Sequence, residues 1–209
     1  MFKKYFPHLL LLIYIIEFIL LAINPTNREV WFIENSVVLP LVLVVIIFYI
    51  KNVRLSNISY LIIFGLFYMH QVGAHYMFEN VPFNWFNNLF GFHRNNYDRV
   101  GHFLIGLLAY PMTEVLIRFK AVNKKWFACF TAVMFITAIA AFYEIYEWIN
   151  AINVDPVASA GFMGSQGDFW DTPKDMLMDF LGGILGVIIY LSVYRKNMLE
   201  QLGCEDVRS

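Results

Sequence analysis

Charge is scarce in this chain. Asp, Glu, Lys and Arg make up 15% of the 209 residues, hydrophobic residues make up 59%, and the mean hydropathy is +0.58. Soluble domains carry roughly 25% charged residues, so this composition excludes an ordinary water-soluble domain. Cysteine is nearly absent: Cys129 and Cys204 stand in no motif, and both are expected on the cytoplasmic side, where a structural disulfide does not persist. A net charge of −1 gives no basic bias, and no nucleic-acid partner is expected. Internal repeats, low-complexity tracts and Gly/Ser linkers are also lacking, which makes residues 1–209 a single domain. Three familiar catalytic signatures are missing: His-Glu-x-x-His, the Walker loop and Gly-x-Ser-x-Gly.

What the chain has instead is long apolar runs. They predict an all-α polytopic membrane protein with six transmembrane helices near 7–23, 36–50, 58–75, 100–118, 126–149 and 173–194. Backbone polar groups in lipid must be satisfied internally, and these runs are too long for barrel strands, so the spans are helices. The first segment, "MFKKYFPHLLLLIYIIEFILLAIN", begins like a signal peptide but lacks a clear small-x-small cleavage site, and reads as an uncleaved anchor.

Orientation follows from the basic residues. With the N-terminus inside, the inner segments hold Lys3, Lys4, Lys51, Arg54, Arg118, Lys120, Lys124, Lys125, Arg195, Lys196 and Arg208. The outer segments hold Arg28, Arg94, Arg99 and Lys174, so the bias is eleven to four and the expectation is N-in, C-in. That topology puts both long loops, 76–99 and 150–172, outside. The first of them, "FNWFNNLFGFHRNNYD", is aromatic-rich and suits either a lid over the helix ends or an interfacial segment.

The same topology gathers ionisable residues at one level. His70, Gln71 and His75 end the third span, Asp98, Arg99 and His102 begin the fourth, Glu144 and Glu147 end the fifth, and Asp171, Asp175 and Asp179 begin the sixth. Asp168 belongs to the loop just before. Ordinary readings exist for several of these. "TPKD" at 172–175 has the form of a capping box, with Thr172 as N-cap and Asp175 at the third position. Glu147 beside Trp148 fits a water boundary, His93 and Arg94 fit interfacial loop residues, and Glu114 has Arg118 one turn on as an ion-pair partner. Asp179 is too deep for a cap. A lone carboxylate there is costly and calls for a base, a metal or a shared proton.

Asp175, Asp179, Gly182 and Gly186 share a face, so the acids stand over a Gly-x-x-x-Gly packing surface and point into the bundle. His102 shares its face with Arg99 and Gly106. His70 and His75 are about 140° apart around a helix, and His75 is the stronger candidate of the two. This inventory predicts a divalent metal held by His102, Glu144, Asp175 and Asp179, with His75, Glu147 and Asp171 nearby. Glu144, Asp179 and His102 are the candidates for catalysis on a lipid or lipid-linked substrate. Two alternatives remain open at this point: a small proton-linked transporter, and a non-catalytic structural or regulatory protein of the membrane.

The succession "YDRVGHFLIGLL", "AFYEIYEWIN" and "GSQGDFWDTPKDMLMDFLGGILG" resembles the YjdF-like family of bacterial inner-membrane proteins, over nearly the whole chain. The resemblance implies a multi-pass location in the cell inner membrane and no established activity. The end of the chain is also loosely similar to VanZ-like membrane proteins. Glu144, Asp175, Gly182 and Gly186 match that pattern, and Asp179 stands where Asn is usual.

Overall fold

A computed structural model describes residues 2–154, 159, 163 and 165–206. The side chains of Lys3, Lys4, Arg195, Lys196 and Cys204, all of Arg208, and part of the expected loop 150–172 lie outside what it describes. Among the described residues there are helices and turns and no strand. The helices are α1 (Phe2–Leu21), α2 (Arg28–Ile50), α3 (Asn57–Tyr76), α4 (Asn84–Phe90), α5 (Tyr97–Leu107), α6 (Ala109–Arg118), α7 (Lys125–Ala151) and α8 (Asp171–Asp206). A 3₁₀ turn, Phe78–Asn80, follows α3.

Each expected apolar run falls in a helix, with local chemistry setting the ends. Asn27 caps α2, its side-chain oxygen accepting from the amides of Glu29 and Val30 at 2.9 and 3.1 Å. The helix therefore begins eight residues before the expected start at 36, and Glu34 lies inside it. Ser56 caps α3 through the amide of Ser59. The fourth span, Tyr97–Arg118, is continuous in space but broken at Leu108 between α5 and α6. Pro111 explains the break: it has no N–H for the Leu107 carbonyl one turn back, and its ring crowds that carbonyl. At the last span, the helix begins at Asp171 and the expected capping box of Thr172 does not form. Asp168 instead accepts from the Trp170 amide at 3.1 Å just ahead of the helix.

Among the described residues, four helices are long and apolar enough to cross a bilayer: Arg28–Ile50, Tyr97–Arg118, Lys125–Ala151 and Asp171–Tyr194. Tyr5–Leu21 is a shorter apolar helix. The last turns of α3 carry His70, Gln71 and His75, which keeps it out of that group. The outer surface of the bundle is apolar, with Leu12, Ile16, Ile19, Phe130 and Ile188 exposed, while Gln71, Glu34 and Asp179 are fully buried. Such an inside-out distribution is what a hydrocarbon solvent selects.

The bundle has two halves. Tyr14, Val38, Val42, Ile63, Leu66 and Phe67 form the core joining α1, α2 and α3. Ala109, Ala132, Val133 and Ile136 join α6 to α7, with Phe180 and Val187 of α8 packed on them. The closest approach is α5 on α8. A Cβ on Gly106 would run into the carbonyl oxygen of Asp179 and sit 2.8 Å from Gly182 Cα, and a Cβ on Gly182 would strike the carbonyl oxygen of Phe103. Only glycine allows two backbones this near. That contact brings the first turns of α5 and α8 side by side, and with them the polar residues.

Candidate functional site

His102 is the centre of the polar cluster and is 2% exposed. Its Nδ1 lies 2.9 Å from Asp179 Oδ2 across the α5–α8 contact. Its Nε2 faces Glu144 Oε1 of α7 at 3.5 Å and Asp98 Oδ1, one turn back on α5, at 3.8 Å. Asp98, His102 and Asp175 each offer an atom, all within 4.8 Å of one another, that could ligate a metal. Three buried oxygens here have no hydrogen-bond partner: Glu144 Oε1, Asp175 Oδ1 and Asp179 Oδ1. Buried polar atoms are normally paired, so unpaired oxygens converging on one imidazole mark a place with capacity to hold a cation or protons.

Above the cluster lies a layer of ion pairs. Arg99 donates to Asp168 Oδ2 at 2.6 Å and to Asp171 Oδ1 at 3.1 Å, and its Nε stands 3.5 Å from Asp175 Oδ1. Arg94 is bonded to Asp171 and lies 3.6 Å from Asp168. Lys174 donates to Asp168 Oδ2 at 2.6 Å. Hydrogen bonds from Lys174 and Arg99 hold the Asp168 carboxyl well below the usual carboxylate range. Gln166 and Asn95 clasp the two loops together through reciprocal bonds of 2.9 Å.

A second buried group adjoins the first. Glu34 of α2, fully buried, accepts from the Tyr143 hydroxyl at 2.9 Å and lies 3.2 Å from His70 Nε2. The Tyr143 ring centre is 6.3 Å from that of His102, so Tyr143 stands between the two groups. Gln71 donates to Asn35 Oδ1 and to the Tyr14 hydroxyl, tying α1, α2 and α3 together at this level.

His102, Glu144, Asp175 and Asp179, expected as one set, come from three helices and meet. Asp171 lies in the ion-pair layer instead, and Glu147 is buried on α7. His75 does not join them: its Nδ1 pairs with the carbonyl of Leu21 at 2.8 Å, at the end of α1. His70, set aside in favour of His75, is the histidine of α3 that turns inward, toward Glu34. Arg94 is no loose interfacial residue, and Glu114 has far more than Arg118. It accepts from the Ser56 amide at 2.8 Å, the Ser56 hydroxyl at 2.8 Å and the Ser59 hydroxyl at 2.6 Å, while Arg118 stands off at 3.7 Å. Asp98 was expected at this level but not in the metal set, and Glu34 was passed over. Asp98 had a signal, since it precedes His102 by four residues on the same helical face. Glu34 was hidden by the late start assigned to its helix.

No solved structure matches this chain. It is similar to the inner membrane protein YjdF of Escherichia coli (strain K12), with 31% identity over 186 residues, 87% of each chain. The family described as Predicted membrane protein (DUF2238) matches residues 6–197. The chain belongs to that family and is a multi-pass protein of the inner membrane.

Proposed function

We propose that the cluster around His102 is a divalent-metal site, through which this protein acts on a lipid or lipid-linked substrate. The reading rests on one observation, the convergence of Asp98, His102 and Asp175 within 4.8 Å. Neighbouring ligands of a metal bound at ~2.1 Å are separated by about 3.0–3.4 Å. The 3.5 and 3.8 Å gaps from His102 Nε2 to Glu144 and Asp98 are long for hydrogen bonds and near this ligand spacing. Asp179, on the opposite ring nitrogen, then acts as the carboxylate that fixes the imidazole's orientation. Mixed imidazole and carboxylate ligands suit Zn, Mn or Fe, and with fewer histidines Mg or Ca. A metal held by these residues would supply a Lewis acid to activate water and to polarise an ester or phosphoryl oxygen.

The reading includes six crossings with both termini inside, which puts the cluster at the outer leaflet. In support, the N-terminal ends of α2, α5 and α8 and the C-terminal ends of α3 and α7 carry the acids and histidines. Exposed aromatic residues at the same end, Trp85, Phe90, Phe92, Phe169 and Trp170, suit a membrane–water interface. Labelling of single cysteines introduced at Asn88 and Asn123, in a background without the two native ones, tests the sidedness.

Elemental analysis of detergent-purified protein tests the site. A stoichiometric divalent metal, absent from His102→Ala and Asp98→Asn, is the expected result. Metal missing from the unaltered protein after exposure to Zn, Mn and Mg defeats the reading. A second reading, a proton-linked carrier, draws on the adjoining Glu34, His70 and Tyr143. Proton flux in liposomes that is lost in Glu34→Gln, with no metal bound, would put that reading first.

A further inference from the structure

Three cations from three different elements converge on a single oxygen. Asp168 Oδ2 is 2.6 Å from Arg99 of α5, 2.6 Å from Lys174 of α8 and 3.6 Å from Arg94 of the loop before α5. One carboxylate oxygen does not need three cations, whereas a phosphate group, with more charge and more acceptor oxygens, makes full use of them. Asp171 has a different part. Its side chain is 8% exposed, and it holds both guanidinium groups from beneath. Asp168 sits at the surface, with its side chain 20% exposed, and beside it Lys174 is 46% exposed. Asp168 is also carried on a loop rather than a helix, just after Gly167 at φ +80°. Arg94, Arg99 and Lys174 face Asp168 and Asp171 here, with Asp175 below Arg99, so displacement of Asp168 leaves three cations against two carboxylates.

We propose that Arg94, Arg99 and Lys174 form a binding site for a phosphate group, and that Asp168 fills this site as an internal stand-in until a ligand displaces it. The site is connected to the buried cluster. The Nε of Arg99 has no hydrogen-bond partner and points toward Asp175, 3.5 Å away. A phosphate held by Arg99 therefore rests directly over Asp98, His102 and Asp175. This assigns the ligand class for the metal-dependent function, a phosphate-bearing molecule, and rests on that reading for any chemistry after binding. The aromatic rim of Trp85, Phe90, Phe92, Phe169 and Trp170 suits delivery of such a group from the lipid surface.

The test uses full-length protein in detergent, titrated in one arm with inorganic phosphate and in the other with short-chain phosphatidic acid. Removing an internal competitor that fills the site more than nine-tenths of the time raises apparent affinity by about tenfold or more. Asp168→Asn is therefore expected to bind at least about tenfold tighter than the unaltered protein. Arg99→Gln or Lys174→Gln in the Asp168→Asn background is expected to abolish the gain. Gln166→Ala loosens the loop and leaves every charge in place. It is expected to shift affinity the same way, and it decides the matter if Asp168→Asn does not fold. A gain in the first arm identifies a free phosphate group as sufficient, and a gain in the second alone identifies a lipid headgroup; either supports the proposal. No gain in either arm, from folded Asp168→Asn or from Gln166→Ala, overturns it. Metal content measured in the same samples reports on the buried cluster separately, so a metal-free protein that gains phosphate affinity defeats only the metal reading.

Discussion

His102 Nδ1 lies 2.9 Å from Asp179 Oδ2, so the second nitrogen of the ring, Nε2, is the one left facing Asp98 and Glu144. The two nitrogens of the imidazole therefore differ in what they face. If the proposed metal site is correct, loss of a group on the Nε2 side removes a ligand, while loss of Asp179 removes only the orientation of one. Asp98→Asn, His102→Ala and Asp175→Asn are expected to lose metal outright. Asp179→Asn is expected to weaken it by about 10- to 100-fold, the usual range for a carboxylate behind a ligating histidine. Equal, complete loss in all four variants would show that Asp179 is itself a ligand.

The α5–α8 contact makes a sharp contrast between two glycines on one helix. Gly106→Ala puts a methyl group against the backbone of Asp179, Gly182 and Gly183, none of which can rotate away. Overpacking of this kind costs about 1–3 kcal/mol or more. Gly101 has open space where its Cβ would be, and alanine there is expected to be neutral or to stabilise by up to ~1 kcal/mol. Thermal unfolding in detergent separates the two. Similar melting points for Gly106→Ala and Gly101→Ala would mean the helices are not in such close contact.

Glu114 and Arg118 are expected to differ in the same assay. Glu114 receives the amide and hydroxyl of Ser56 and the hydroxyl of Ser59, and so closes the start of α3 from another helix. Hydrogen bonds to a charged group are worth about 1.5–3 kcal/mol each when broken on one side, so Glu114→Ala is expected to cost at least that much. The Arg118 pair is exposed on the arginine side and 3.7 Å long, and such pairs contribute about 0–1 kcal/mol. If Arg118→Ala proves as damaging as Glu114→Ala, the ion pair and not the cap holds this end together.

The ion-pair layer should respond to acid in a defined direction. Hydrogen bonds from Lys174 and Arg99 depress the Asp168 carboxyl, so its contribution to stability is present above the unfolded value of ~3.9 and is lost as pH falls through the lower folded value. The difference in melting point between the unaltered protein and Asp168→Asn is thus expected to stay level from about pH 7 down to ~4 and to close below that. A difference that closes near neutral pH instead would point to a histidine, and one that survives strong acid would mean Asp168 is not bonded as described.

Much of the architecture was legible in composition and spacing. Apolar runs of bilayer length have only one economical backbone solution, the helix, so the helical build could be read directly, although α2 starts eight residues before its expected position. The glycines of α8 could be read as a packing face, because small residues four apart can serve little else there. Partners were harder. His102 and Asp179 are 77 residues apart in sequence, and nothing local in either segment records that Gly106 and Gly182 let their helices meet at that height.

The membrane location and the helical build were thus determined by the sequence alone, because solvent preference and backbone hydrogen bonding act residue by residue. Only the tertiary structure decided which histidine of α3 turns inward, that Glu34 joins the interior, and that Asp168 receives three cations at one oxygen. Those facts depend on helix rotation and depth, which packing between distant segments sets. A linear pattern read with an uncertainty of a few residues blurs a helical face by more than half a turn.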